Sequence, residues 1–203
     1  MRKLNLFFFV ISLLFVVSCT SLVRFQSGNE SLDYLKGQKL IGLKFDYSDM
    51  AVGKFPDEQD YIEKKVKEGN EREPGAGDEW KQKWFGQRET VFEPKFEELA
   101  NKYIDQPGMD IRRSNTNTDY TIVVHTDFME PGFNVGVMRR PAVIRGNIKV
   151  YKTDNMDKPI STFVFDKVEG QDAMGYDFAV SQRLGQAYAK LGKEFARYVE
   201  EHL

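Results

Sequence analysis

An apolar run near the amino terminus ends at the only cysteine of the chain. Arg2 and Lys3 precede the run, and residues 6–17 form twelve positions without a charge. This length is typical of the hydrophobic region of a signal peptide, and it is shorter than the ~20 apolar residues that a membrane-spanning helix needs. Because Cys19 is the sole cysteine, the chain can form no internal disulfide, so packing must stabilise its fold.

The residues that surround Cys19 indicate how the mature protein is attached. The sequence Val16-Val17-Ser18-Cys19 resembles the lipobox of bacterial lipoproteins, whereas no A-x-A-like site for the ordinary signal peptidase follows the apolar run. The resemblance implies that residues 1–18 are removed as a signal peptide, that the Cys19 sulfur carries a diacylglyceryl group and that the new amino terminus is acylated. Two or more acyl chains hold a protein stably on a membrane that it does not cross.

The same resemblance implies a place in the cell envelope. Thr20 follows the cysteine, where an Asp would resemble an inner-membrane retention signal, and no acidic run comes after it. We therefore expect a lipid-anchored protein on the periplasmic face of the outer membrane. Loss of Arg2 and Lys3 with the signal peptide leaves a net charge of −4, which argues against nucleic-acid binding.

Alternating and helical periodicities predict the fold of the remaining chain. Residues 19–38 have no sustained period and are predicted to form a tether, and residues 39–203 are predicted to form a single domain. Period-two alternation predicts strands at 39–47, 120–128, 143–151 and 160–168. Helices are predicted after Pro56, from about 90 or 94 to 104, and from 178 to about 201, where one apolar stripe comprises Val180, Leu184, Tyr188, Leu191, Phe195 and Tyr198.

These elements predict an α+β fold with a mixed, mainly antiparallel sheet of four or more strands. Two to three helices, including the long carboxy-terminal helix, are expected to pack on one face. Residues 69–88 lose all period and contain a strong loop signal. Gly185 and Gly192 lie beside the apolar stripe, where they are expected to let the last helix approach the sheet closely.

Over residues 38–202 the order of these elements, with a final strand followed by a long helix, loosely resembles small envelope lipoproteins whose domain is like the amino-terminal domain of TolB or the curli-secretion lipoprotein. Members of those families are mostly binding or assembly modules. The resemblance implies a module of that kind.

Candidate reaction centres are few. His125 and Asp127 lie two apart on one predicted strand, and the default interpretation is a solvent-facing pair rather than a catalytic one. Asp154, Asn155 and Asp157 lack the remainder of a calcium loop and are residues that hairpin turns select. The sequence contains no G-x-S-x-G, HExxH or phosphate-binding glycine motif. We predict no catalytic residue, no metal and no cofactor.

The segment 131–141, between two predicted strands, is longer than a hairpin turn requires. It carries apolar residues beside two arginines, a combination that suits a protein partner or lipid headgroups. The candidate contact residues are Phe133, Val135, Val137, Met138, Arg139 and Arg140. The alternative is that both strands simply continue and that Phe133 and Val137 enter the core.

A second candidate site is aromatic. Trp80 and Trp84 share one face if their segment is helical, and Phe85 follows them. These rings would either hold a small apolar or glycan ligand, or cover the core beneath a long loop. The leading hypothesis is a lipid-anchored, non-enzymatic binding or assembly module with an envelope protein partner. A carrier or receptor for a small ligand is the alternative, and an enzyme is the third.

Overall fold

The predicted α+β fold is confirmed by a computed structural model, which describes residues 21–106, 108–113, 117–135, 138–172, 175 and 177–203. Cys19 and Val137 lie outside the described residues. The strands are β1 (Val23–Gly28), β2 (Leu40–Asp46), β3 (Ala51–Val52), β4 (Asp110–Arg113), β5 (Tyr120–Glu130), β6 (Phe133–Val135), β7 (Met138–Arg140), β8 (Ala142–Lys152) and β9 (Ser161–Gly170). The helices are α1 (Glu58–Arg72), α2 (Ala76–Gln87), α3 (Glu93–Tyr103) and α4 (Val180–His202), and a π-helical turn (Arg88–Phe92) joins α2 to α3.

The described residues form a seven-stranded mixed sheet in the order β1-β9-β8-β5-β2-β4, with β3 beside β5. β5, β8 and β9 make an antiparallel meander, and β2 lies parallel to both β5 and β4. The pleat directs alternate side chains to opposite faces, so Ile122 and Val124 face the helices and are fully buried. The opposite side of the sheet, here called the open face, carries the exposed or half-buried residues Lys44, Val123, His125, Lys149 and Tyr151.

α4 covers the helical face of the sheet with the predicted apolar stripe. Phe195 is fully buried, and its ring centroid lies 6.2 Å from that of Phe163 on β9 and 6.3 Å from that of Phe96 on α3. The prediction that Gly192 lets the last helix approach the sheet was wrong. A Cβ atom there would overlap the backbone carbonyl of Phe96, so the glycine brings α4 against α3 and not against the sheet. Among the described residues, no helix combines the length and apolarity that a membrane crossing requires.

The segment predicted as a tether contains an additional strand. Residues 23–28 form β1, which pairs antiparallel with β9 as an edge strand. Val23, Leu32 and Leu35 are fully buried. The folded domain therefore includes residues 23–35, which the predicted boundary near residue 39 left out.

The loop predicted for residues 69–88 is also much shorter in the structure. α1 continues to Arg72 and α2 begins at Ala76, so only residues 73–75 turn the chain. Gly75 supplies the positive φ of 88° that this turn needs, and Asn70 accepts a hydrogen bond from the backbone N–H of Gly77 at 2.8 Å. The Pro-Gly-Ala-Gly sequence thus marks a tight helical hairpin.

Candidate functional site

The segment 131–141 forms a projecting hairpin rather than an irregular loop. β6 and β7 pair antiparallel, with Phe133 opposite Arg140 and Val135 opposite Met138. The hairpin joins the last residue of β5 to the first residue of β8, where Glu130 pairs with Val143. β9 also ends here and α4 begins shortly afterwards. This end of the sheet is called the hairpin end below.

Most of the exposed apolar side chains lie at the hairpin end. The exposed fractions are 42% for Phe133, 65% for Val135, 63% for Met138 and 65% for Phe178. Within the described residues, six large apolar side chains are exposed, and these four are the majority. With Arg139 and Arg140 they define the hairpin surface. The alternative that Phe133 enters the core is therefore wrong, although the strand pairing does continue into the hairpin.

Side-chain hydrogen bonds join the hairpin to the segment that precedes α4. The amide of Asn134 donates to the carbonyl of Gly175 and to the carboxylate of Asp177, both at 2.9 Å. Arg139 donates from Nη2 to the carbonyl of Asp172 at 3.1 Å. These bonds connect β6 and β7 to Asp172, Gly175 and Asp177. The hairpin is therefore braced against the body of the protein.

A buried arginine on the first turn of α4 completes this brace. Arg183 is only 3% exposed, and its guanidinium donates four hydrogen bonds to backbone carbonyls. Two of them reach the start of the hairpin, at 3.2 Å to Pro131 and 3.2 Å to Gly132, and two reach Asp177 and Phe178 at 2.6 and 3.0 Å. One side chain thus fixes both segments that carry the hairpin surface.

Burial and hydrogen bonding act in opposite directions on the Asp177 carboxyl. Burial by itself raises its pKa, but hydrogen bonds from the Asp172 backbone N–H and the Asn134 amide favour the ionised form, and the net pKa lies below the ordinary value. Burial lowers the pKa of Arg183, and the charge of Asp177 opposes that change. Sequence reasoning missed both residues; the available signal was an arginine placed directly beside the apolar stripe of α4.

The aromatic candidates form part of a closed cluster. Trp84 is 4% exposed, and its indole N–H donates to the Glu58 carboxylate at 2.6 Å. Arg88 pairs with the same carboxylate. The Trp80 ring stacks on that of Trp84 with 5.5 Å between centroids, so the two rings share one face as predicted. This geometry favours a role in covering the core.

Phe85, the remaining aromatic candidate, lines none of the surface clefts described here. Phe85 is 38% exposed and lies 5.0 Å from the Arg88 guanidinium. Clefts of about 330, 350 and 510 Å³, each lined by Lys152, Asp154 or both, lie at the end of the sheet opposite the hairpin, and one of about 370 Å³ lies beside Tyr103. Trp80, Trp84 and Phe85 line none of these four clefts. The geometry of these clefts therefore lends no support to a ligand site at the tryptophans.

His125 and Asp127 bind different neighbours. The Nδ1 atom of His125 lies 3.0 Å from Oδ2 of Asp46, whereas Asp127 accepts a hydrogen bond from Arg145 at 2.8 Å. A register shift of the β5–β8 ladder occurs at residues 126–128, between these two positions. His125 and Asp127 are thus engaged in separate pairs along the strand.

The turn interpretation of residues 153–159 is confirmed. The backbone N–H of Asn155 donates to the carbonyl of Lys152 at 3.0 Å, and the Asn155 side chain accepts from the N–H of Asp157 at 3.3 Å. Over the part of the chain that the structure describes, no three His, Cys, Asp or Glu side chains are grouped so that they could hold a metal ion.

Comparisons with known proteins are sparse. No protein-family model matches the chain, and no curated protein matches it significantly. Among solved structures, the PelC dodecamer from Paraburkholderia phytofirmans in space group P6 is 13% identical, covers 85% of this chain and 96% of its own, and has a TM-score of 0.39. A substituted form of the same dodecamer in space group C2 is 14% identical, covers 85% and 95%, and has a TM-score of 0.38. A likeness of this size assigns neither a shared fold nor a function.

Proposed function

We propose that the protein is a lipid-anchored component of the cell envelope that acts without catalysis, as a binding or assembly module. Cys19 carries the lipid, the periplasmic face of the outer membrane is the proposed location, and the hairpin surface and the open face of the sheet are the contact surfaces. The single observation that carries the proposal is the collection of exposed apolar side chains on a braced hairpin.

Exposed apolar groups of this kind indicate contact. Exposed apolar side chains scattered one by one are normal on a soluble domain, whereas apolar residues gathered at one site and rimmed by polar groups mark interaction surfaces. Phe133, Met138 and Phe178 are gathered in this way beside Arg139 and Arg140. The brace by Arg183 and Asn134 holds the surface in one arrangement, which lowers the entropy that must be lost on binding.

The polar candidates pair within the fold. His125 lies against Asp46, Asp127 binds Arg145, and Glu58 binds both Trp84 and Arg88. Each of these contacts joins neighbouring elements, and the proposal assigns them structural roles.

Photo-crosslinking in intact envelopes tests the proposal. A crosslinking residue is placed at Met138 on the hairpin surface, at Lys44 on the open face, and at Met156, an exposed methionine in the turn at the opposite end of the sheet. We expect a recurrent protein adduct from Lys44, an adduct to protein or lipid from Met138, and none from Met156. Absence of adducts from both Lys44 and Met138, or equal adducts from Met156, would contradict the proposal.

A further inference from the structure

We propose that the hairpin surface inserts among the lipid headgroups of the same membrane that holds Cys19, so that the protein is attached at two points. This inference rests on the proposed function, because it takes the lipid on Cys19 as given. It goes further by naming the occupant of the hairpin surface: the interfacial layer of the bilayer, with its phosphate groups. The open face then remains for the envelope protein partner.

The direction of β1 places the anchor on the correct side. β9 runs toward the hairpin end, since its last residue Gly170 pairs with Ala142. β1 runs antiparallel to β9, with Val23 opposite Phe165 and Gly28 opposite Ser161, so the chain enters β1 from the hairpin end. Val23 lies opposite Phe165, five residues short of Gly170, so the chain approaches β1 from the side of the hairpin end and joins the sheet near mid-strand.

The chain between the anchor and the domain is short. Only four residue steps separate Cys19 from Val23, which is fully buried in the edge of the sheet. A chain of this length spans at most about 14 Å. The five residues from Phe165 to Gly170 span about 17 Å, so Cys19 and the hairpin surface can reach one bilayer when the β1 edge of the sheet is tilted toward it.

The chemistry of the hairpin surface suits the interfacial layer. Phe133, Val135 and Met138 present apolar groups that can enter the boundary between headgroups and acyl chains. Arginine can hold its aliphatic part at this depth while its guanidinium binds lipid phosphate in a bidentate manner. The Arg140 side chain is 60% exposed, and its contact with Glu130 is a loose one at 3.5 Å.

The small size of the surface favours a membrane over a protein as the occupant. A stable protein interface buries about 20–30 residues on each partner, whereas the hairpin surface comprises six. A membrane contact by this protein does not need so large an interface. Once lipid on Cys19 holds the protein, the second contact is effectively intramolecular, and a weak interaction suffices to set the orientation.

Fluorescence of the full-length, lipidated protein in vesicles tests this inference. Since the only cysteine is the one that carries lipid, Met138→Cys and Met156→Cys each introduce a single reactive thiol for an environment-sensitive fluorophore. The vesicles contain phosphatidylethanolamine and phosphatidylglycerol, with a quencher attached to lipid near the headgroup. We expect a blue shift and quenching at position 138 and neither at position 156.

Two further variants show whether the apolar side chains cause the shift. Phe133→Ser with Val135→Ser in the Met138→Cys protein should abolish both the shift and the quenching. Phe85→Ser, which removes an exposed phenylalanine from α2, should leave them unchanged. Both variants alter exposed residues, so the fold should be preserved, and a circular dichroism spectrum confirms it.

The possible failures are distinguishable. Vesicle-bound protein with an unshifted, unquenched probe at position 138 would overturn the inference while leaving the anchor intact. A shift that occurs in native envelopes but not in protein-free vesicles would overturn it in favour of a protein on the hairpin surface. Protein that does not bind the vesicles at all would contradict the proposed lipid anchor, and this inference would fail with it.

Discussion

Arg183 shows how one buried charge can organise a surface. The Arg183 side chain is almost entirely buried. Its guanidinium donates hydrogen bonds to four carbonyl oxygens in the two segments that carry the hairpin surface. A carbonyl that loses such a donor in a buried site keeps its desolvation cost without compensation. The side chain therefore stabilises the fold through the geometry that it imposes on residues 131–132 and 177–178.

Replacement of Arg183 by methionine should destabilise the protein, because the buried carbonyls lose their donors. We expect the free energy of unfolding to fall by about 3 kcal/mol. Urea denaturation measures this change. Arg24→Met, an exposed arginine on the edge strand, is the matched control and should alter the free energy by less than about 0.5 kcal/mol. Equal effects of the two substitutions would contradict the role assigned to Arg183.

Asp177 predicts a pH dependence of stability. Its pKa in the folded protein lies below that of the unfolded chain, so its contribution to stability is present above the unfolded pKa of about 3.9 and is lost as pH falls through the folded pKa. Asp177→Asn should therefore show a weaker loss of stability below about pH 4 than the native protein does. Urea denaturation at a series of pH values measures the free energy of unfolding of both proteins. The same pH dependence in both would contradict this prediction.

At the scale of elements, close contact between α3 and α4 requires a residue without a side chain. A Cβ at Gly192 would overlap the carbonyl of Phe96, whereas a Cβ at Gly86, on exposed α2, meets no atom within 4 Å. Gly192→Ala should therefore lower the free energy of unfolding by about 2 kcal/mol despite its better helix propensity. Gly86→Ala should raise it by up to about 1 kcal/mol. Thermal unfolding of both variants checks the opposite signs.

The elements also show which parts of the fold a sequence reveals. α4 was predictable because its apolar stripe repeats over many turns, and β5, β8 and β9 were predictable because their apolar and polar residues alternate. β1 and β4 were missed because each is an edge strand with few apolar residues, namely Val23 and Phe25 in β1 and Ile111 in β4. β1 pairs with β9 and β4 pairs with β2, and both partners lie far away along the chain. The local periodicity of β1 and β4 therefore carries little information about their pairing.

The candidate site was predictable only in part. The apolar and basic residues of 131–141 could be recognised from composition, and the structure leaves Phe133, Val135 and Met138 exposed. Phe178 and Arg183 could not be assigned to the same place, because they lie some 40 or more residues away along the chain and meet the hairpin only through the fold. The hydrogen bonds that connect Arg183 to the start of the hairpin have no local sequence signature.

At the scale of the whole molecule, the sheet separates two kinds of contact. The hairpin end carries the exposed apolar side chains, whereas the open face carries mainly polar residues such as Lys44 and His125. In the proposed two-point attachment, the domain rests with its hairpin end and its β1 edge toward the bilayer. The open face is then accessible from the side, where an envelope protein can bind.

The lipid on Cys19 is the premise on which this arrangement depends, and it is tested most directly by fractionation and intact mass of the native protein beside Cys19→Ala. The native protein should be found in the membrane fraction with the mass of a chain that begins at Cys19 and carries acyl lipid. Cys19→Ala should lack both the cleavage before residue 19 and the added lipid mass. If the two proteins fractionate together and have the same processed mass, the lipid anchor and the two-point attachment built on it are wrong.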